Sequence, residues 1–522
     1  MSDSESQDFC DPDTVLNLLS SEDNSAPAVR VENSNDMRTL SYNPHEVSQT
    51  DHIVHLSSID CCMPKAYIRV CLAYRVPSDH HLKDALSGLR QFVKNIVRAK
   101  PYLAGYVTDV KHLNQRTGRA EIRFTTNNYL NYPRVTVQNL CYEDGSTIKY
   151  DDLVEEGLPP SRLLPEEVSA LPPNVDQLER APVLGIQANC VEGGLIVSIY
   201  LHHCVSDGTG FDFLTSGDVL GDHYVFLWPL ESHSTASVAR LDMRLKVFAQ
   251  QETSVRQRLS RAPSFVPRSR NLQARQGGEW LAQNKPGRGC VLMISAAKVI
   301  ARLKIFNGSH SGRQGMRHTK NTVLKALLWR HMTRARRPSI AHDTNVKTSK
   351  LLIPVNIRGR IRDQQPPSYF GAAVDFAKAE LDLDVLTSTS PVTLQRISSA
   401  VRQAILSVTD SYIREAIVFV NSAAAGTDVH DLQASNMDRV TAADMYVTSW
   451  LKLRTYHHDL GMGLGRPDWV RKPWSRDPGS CIILPRKPNT GYFEVVVQMT
   501  EDDMDQLLND QSFMEFVDRV ID

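Results

Sequence analysis

The segment Leu201-His-His-Cys-Val-Ser-Asp-Gly-Thr-Gly210 decides how this chain is read. It closes an apolar, β-rich run, Leu195–His203, which reads as a buried strand. Gly208 and Gly210 follow at once, so the chain turns there. A histidine at a strand end, ahead of a glycine-rich turn, presents its imidazole to a cleft rather than to a packed helix face. An imidazole titrates near about pH 6.5 and suits proton abstraction from a hydroxyl close to neutral pH. Alternation along the strand puts His202 and His203 on opposite faces, so only one can face the cleft. Asp207 lies four residues beyond His203. On a continuous helix that spacing would bring the two side chains together, but the glycines argue against such a helix. Asp207 is expected to shape the turn and hold His203 in place rather than act as a triad acid. A lone His-x-x-x-Asp is common by chance and usually marks a satisfied core or surface histidine.

Outward from this segment, strands and helices alternate. Tyr67–Tyr74 alternates as a strand. Leu82, Ala85, Leu86, Leu89, Phe92, Val93, Ile96 and Val97 recur at helical spacing until Pro101 ends the helix. Beyond the crossover described below, Val323, Leu324, Leu327, Leu328 and Met332 mark one helix. Leu394, Ile397, Ala400, Val401, Ala404 and Ile405 mark another. Tyr492–Gln498 reads as a strand, and Thr500-Glu-Asp-Asp503 resembles a capping box that opens a helix with Met504, Leu507 and Leu508. The alternation in both halves favours an α/β class.

With 522 residues, two domains are expected. Residues 1–49 are polar and acidic and read as a disordered extension. Residues 50–240 form an N-terminal domain. Residues 241–290 gather Arg256, Arg258, Arg261, Arg268, Arg270, Arg275 and Arg288 with Pro and Gly, and read as a basic crossover linker. Solvated linker charge is one reading of that basicity, and a share in binding cofactor phosphates is the other. Residues 291–522 form the C-terminal domain. The run Gly217–Pro229 breaks the amphipathic helix expected after the histidine motif.

The formal net charge is +0, which gives no bulk electrostatic reason to expect nucleic acid or an anionic membrane as partner. Nine cysteines are scattered without a zinc-type spacing, so no metal is expected. The acidic N-terminus lacks the pattern of a secretory signal, and no apolar run approaches the length of a membrane span. A cytoplasmic location and a monomer are the default expectations.

The full His202-His203-x-x-x-Asp207-Gly208 after an apolar strand resembles the active-site signature of coenzyme A-dependent acyltransferases of the BAHD type. Condensation domains of peptide synthetases and chloramphenicol acetyltransferase-like proteins share it. Asp459-Leu-Gly-Met-Gly463 is similar to the Asp-Phe-Gly-Trp-Gly motif of the BAHD type, with Leu460 and Met462 replacing the aromatics. Around it stand Thr448-Ser-Trp450 and Gly465-Arg-Pro-Asp-Trp-Val470. Met63-Pro64 with Lys100-Pro-Tyr-Leu-Ala-Gly105, Ala326-Leu-Leu-Trp-Arg330, Val355-Asn-Ile-Arg358, Tyr369-Phe-Gly371 and Leu484-Pro-Arg486 resemble the fungal branch that includes trichothecene 3-O-acetyltransferases. The resemblance runs from about residue 51 to the C-terminus. The family's usual Asn after Tyr-Phe-Gly is Ala372 here, and its Ser-Thr-Asn-Asp is Thr319-Lys-Asn-Thr322.

The resemblance implies two chloramphenicol acetyltransferase-like domains, each a mixed sheet flanked by helices, joined by a long crossover. It implies transfer of an acyl group, acetyl by family habit, from acyl-CoA to a small-molecule alcohol or amine of fungal secondary metabolism. No bound cofactor is implied, only acetyl-CoA or another acyl-CoA as co-substrate. His203 would be the general base, with Asp207, Gly208, Thr448 and Trp450 completing the catalytic set. Thr448 and Trp450 would meet the oxyanion, although Trp450 reads equally as a core aromatic. Thr319, Lys320 and Asn321 would touch coenzyme A. Asp459, with Gly461 and Gly463, would form a structural loop tied by an ion pair to Arg358. Two other readings stand beside this one: a free-standing condensation enzyme using a carrier-bound acyl group, and a family member that has lost activity and serves as an interaction protein.

Overall fold

The computed structural model describes residues 52–112, 115–125, 135–142, 144–169, 171–172, 175, 180–217, 286–308, 317–340, 346–361, 369–421, 443–475 and 477–522. The expected extension, the crossover up to residue 285 and the run Gly217–Pro229 beyond its first residue lie outside the described residues.

The predicted histidine strand forms as Gly194–His202, with every one of its residues buried. It is central in a five-stranded sheet ordered Trp469–Arg471, Tyr67–Arg75, Gly194–His202, Leu184–Val191, Val135–Asn139. Both neighbours run antiparallel to it, and Tyr67 lies opposite His202. A strand covered on both faces has no solvent side, which is why its sequence is an unbroken apolar run rather than an alternating one. His203 is the first residue past the ladder, and its backbone N–H still donates to the Ala66 carbonyl at 2.8 Å. The helix Asp79–Ala99 buries Leu82, Ala85, Leu86, Leu89, Phe92, Val93, Ile96 and Val97, the periodic set read from the sequence.

The C-terminal half builds a seven-stranded mixed sheet. Its order is Val374–Asp382, Thr348–Asn356, Met445–Ser449, Ser480–Ile483, Tyr492–Thr500, Gly287–Ser295, Val517–Ile521. The helices Lys320–Ile340 and Thr393–Ser407 cover one face, and their apolar residues share a core with Leu351, Ile353, Val355, Met445 and Val447. Thr500 caps the helix Glu501–Leu508 by accepting from the Asp503 N–H. The α/β class with sheets flanked by helices thus holds.

Two features depart from the linear division of the chain. Gly287–Ser295 is a strand, so folded structure begins within the stretch assigned to the linker. Arg288 sits in that strand and binds Asp505 and Asp522 rather than lying in a crossover. In addition, Trp469–Arg471 leaves the C-terminal half to pair with Tyr67–Arg75, opposite Cys71, Leu72 and Ala73. Among the described residues no helix is long and apolar enough to cross a membrane.

Candidate active site

The uncovered face of the C-terminal sheet and the end of the histidine strand enclose one cavity of about 600 Å³. The sheet contributes alternate residues: Leu352, Pro354 and Asn356 from one strand, Tyr446 and Thr448 from the next, and Ile482 beyond. His203, Asp207 and Gly208 enter from the histidine turn, and Trp450 from the end of the strand Met445–Ser449. The five residues expected to form the catalytic set therefore border a single cavity.

His203 is partly exposed, whereas the Nδ1 of its ring is buried without a hydrogen-bond partner among the described residues. Nε2 is then the ring nitrogen left for chemistry. Burial lowers the His203 pKa below its ordinary value, while backbone groups of His203 and Ser206 and the Asp207 charge oppose that shift. The imidazole is consequently neutral at pH 7 and able to take a proton. His202 is directed elsewhere. It is buried with its ring edge-on to Tyr67 at 5.5 Å, and burial drives its pKa down to about 3.

Asp207 ends the turn and caps the helix Gly208–Ser216, accepting from the Gly210 N–H at 2.9 Å. Its second oxygen accepts from Arg358 Nη1 at 2.7 Å and from the Ala373 N–H at 2.8 Å. Both side chains are almost fully buried. The remaining donors of Arg358 reach the carbonyls of Tyr369 and Gly371, 2.8 and 2.7 Å away. Asp60 accepts from the Ala372 N–H at 2.8 Å, and Ser206 Oγ donates to the Phe370 carbonyl. The Tyr369–Ala373 backbone is thus held from both halves of the chain, with no asparagine needed at Ala372.

This arrangement corrects the expected Arg358–Asp459 pair. Asp459 is exposed and accepts from the Gly461 N–H at 2.8 Å. Gly461 and Gly463 have φ of 71° and 74°, the left-handed region that disfavours side chains. The loop is anchored by burial of Leu460 and Met462 and by the backbone of Gly461 lying against Gly88, where a Cβ would come within 2.4 Å of the Gly461 carbonyl. An exposed aspartate in a tight turn has water as a partner and needs no arginine.

A close approach also joins Gly208 to Trp450. A Cβ on Gly208 would stand 3.3 Å from the Trp450 Nε1. The indole N–H therefore sits beside the histidine turn, with the Thr448 side chain on the same strand facing the cavity. Thr319, Lys320 and Asn321 lie apart from it. Thr319 and Thr322 exchange hydrogen bonds at the start of the helix Lys320–Ile340, and Asn321 accepts from Lys325 Nζ at 2.8 Å. None of the three lines the cavity.

Among the cavity residues that sequence reading missed are the charged Arg69, Asp375, Lys472 and Asp477. Arg69 was detectable as a charge in mid-strand between Tyr67 and Cys71. Lys472 and Asp477 were not, because their position depends on the strand Trp469–Arg471 changing sheets.

An α/β fold of two mixed sheets, with a half-buried histidine past a strand end bordering a cavity between them, is the arrangement of an acyltransferase. Residues 161–514 match the Transferase family and residues 66–216 match the Trichothecene 3-O-acetyltransferase-like N-terminal domain. The chain belongs to this transferase family. It is 24% identical to the eremophilane O-acetyltransferase ORF8 of Penicillium roqueforti, with 88% of this chain and 97% of that protein aligned. The trichothecene 3-O-acetyltransferase TRI101 of Fusarium sporotrichioides is 22% identical, over 86% of this chain and 93% of its own. The fold is that of F. sporotrichioides TRI101 complexed with coenzyme A and T-2. That match has a TM-score of 0.68 at 18% identity and covers 90% of this chain and 100% of the other. Vinorine synthase matches with a TM-score of 0.53 at 14% identity, covering 92% and 96%.

Proposed function

We propose that this enzyme moves an acetyl group from acetyl-CoA to a hydroxyl of a small molecule of fungal secondary metabolism, with His203 as general base. The observation that carries the reading is that His203 borders the same cavity as Thr448 and Trp450. His203 takes the proton of the acceptor hydroxyl as its oxygen attacks the thioester carbonyl. A C–O bond forms, and the carbonyl oxygen becomes an oxyanion. The Thr448 hydroxyl and the Trp450 indole N–H donate to it. Collapse breaks the C–S bond, and the proton held by His203 passes to the departing thiolate. Asp207 and Arg358 act as positioning residues, because among the described residues the Asp207 carboxylate accepts from the Gly210 and Ala373 N–H groups and from Arg358. The relatives named for eremophilanes and trichothecenes, and the TRI101 structure that holds coenzyme A, support a hydroxylated acceptor and a coenzyme A thioester donor.

The test is thiol release from acetyl-CoA with hydroxylated eremophilane- and trichothecene-type acceptors, together with mass analysis of the product. A product heavier by one acetyl group supports the reading. Thioester turnover with no acetylated product, or no turnover with any acceptor, argues against it.

A further inference from the structure

The cavity holds two cations that the transfer reaction does not use. Arg69 projects from the strand Tyr67–Arg75, and Lys472 follows directly after Trp469–Arg471, the strand paired with it. Both line the cavity with Asp477. The Arg69 Nη1 is buried with no hydrogen-bond partner among the described residues. Lys472 Nζ donates to Ser475 Oγ and, weakly, to the Pro473 carbonyl at 3.4 Å. Burial lowers the pKa of both, that of Lys472 to about 7, and each feels the Asp477 charge in the opposite direction; a bound anion would hold Lys472 in its charged form. Arg69 and Lys472 thus share the cavity with two carboxylates, Asp477 and Asp375, the latter pushed up to about 7 by burial, and the other lining is largely apolar. The Asp207 charge is already matched by Arg358. A buried guanidinium nitrogen without an acceptor is costly unless something supplies one.

The location is defined by the strand Met445–Ser449. The Tyr446 N–H donates to the Gly479 carbonyl, and the Ser480 N–H to that of Asp477, so Asp477 belongs to the start of this strand. Thr448 and Trp450 lie at its other end. At about 3.3 Å per residue, the cationic pair stands roughly 7–13 Å from the reacting centre.

We propose that Arg69 and Lys472 form an anion-recognising subsite that takes a carboxylate on the bound ligand, carried by the acceptor or by the far end of the acyl group. The guanidinium matches a carboxylate in two parallel hydrogen bonds, and Lys472 adds a point charge. The Asp477 charge opposes binding of an anion there. The proposal rests on the cavity being the active site, but its readout is binding and not turnover.

The experiment follows quenching of tryptophan fluorescence in the full-length enzyme, using matched acid and ester probes. The acceptor arm compares cholic acid with methyl cholate, and the donor arm compares succinyl-CoA with acetyl-CoA. The expected result is at least tenfold tighter binding of the acid in one arm, which names the source of the carboxylate. In Arg69→Met that preference falls at least tenfold while ester or acetyl-CoA binding holds, and Arg69→Lys recovers part of it. Asp477→Asn strengthens the preference. Equal binding of acid and neutral partner in both arms, including no binding at all, overturns the proposal even if a variant fails to fold. So does an equal loss for both partners in Arg69→Met. A His203→Ala enzyme that loses turnover but keeps the acid preference separates this subsite from the catalytic assignment. If acetyl transfer fails while the preference stands, only the proposed reaction is lost.

Discussion

Arg358 Nη1 donates to Asp207 Oδ2 across 2.7 Å, and this bond ties the C-terminal sheet to the turn that carries His203. Near it, Asn356 Nδ2 donates to Thr209 Oγ1 at 3.1 Å, so the end of the strand Thr348–Asn356 meets the start of the helix Gly208–Ser216 twice. The two halves are joined at the histidine turn itself.

Removing one member of that pair leaves an uncompensated buried charge, which typically costs about 3–5 kcal/mol. Arg358→Ala should therefore lower the melting temperature and the turnover together. Asp459→Ala, at an exposed position, should stay within about 0.5–1 kcal/mol of the parent. Thermal unfolding of the two variants checks this. Equal destabilisation would return Asp459 to a buried structural role.

The approach of Gly208 to Trp450 gives a second outcome. Gly208→Ala places a methyl 3.3 Å from the indole nitrogen, which must shift by a few tenths of an ångström. A displaced oxyanion donor lowers kcat more than it alters KM. Trp450→Phe removes the donor and keeps most of the ring, and Thr448→Val does the same for the hydroxyl. Loss of one such donor costs about 10²–10³-fold in kcat. Steady-state kinetics with kcat unchanged in both variants would place the oxyanion donors elsewhere.

The pH dependence has a definite sign. His203 has a lowered pKa in the folded state, so the native protein binds fewer protons there than the unfolded chain. Its contribution to stability is level above about pH 6.5, the unfolded value, and declines below it. His202 and His331, also lowered by burial, act in the same direction. Turnover should hold at pH 6.5 and fall only as the pH drops through the lowered value for His203. A kcat/KM profile with its acid limb above pH 6.5 would contradict a desolvated base.

Much of this was legible in the sequence, for reasons that differ by element. The helix Asp79–Ala99 and the strand Gly194–His202 announce themselves because burial on one stripe, or on both faces, leaves a local apolar pattern. The partner of Arg358 did not. An arginine carries no local mark of which carboxylate it meets, and the choice between Asp207 and Asp459 depends on where the strand Thr348–Asn356 ends in space. Arg69 and Lys472 were hidden for a related reason. Their meeting needs Trp469–Arg471 to pair with a strand about 400 residues earlier, a closure that no local pattern encodes. The four-stranded sheet of His52–His55, Gln115–Phe124, Tyr106–His112 and Ala181–Pro182 was unforeseen in the same way.

The central claim is that His203, and not its neighbour, is the base. Turnover of acetyl-CoA with a competent acceptor, measured for His203→Ala and His202→Ala at matched folding by circular dichroism, tests it most directly. Positioned base catalysis is worth about 10²–10⁴-fold. The account predicts a loss of that order for His203→Ala. For His202→Ala, whose ring packs edge-on to Tyr67 at 5.5 Å, it predicts chiefly a lower melting temperature. Equal loss of turnover in two folded variants, or full turnover without His203, would contradict it.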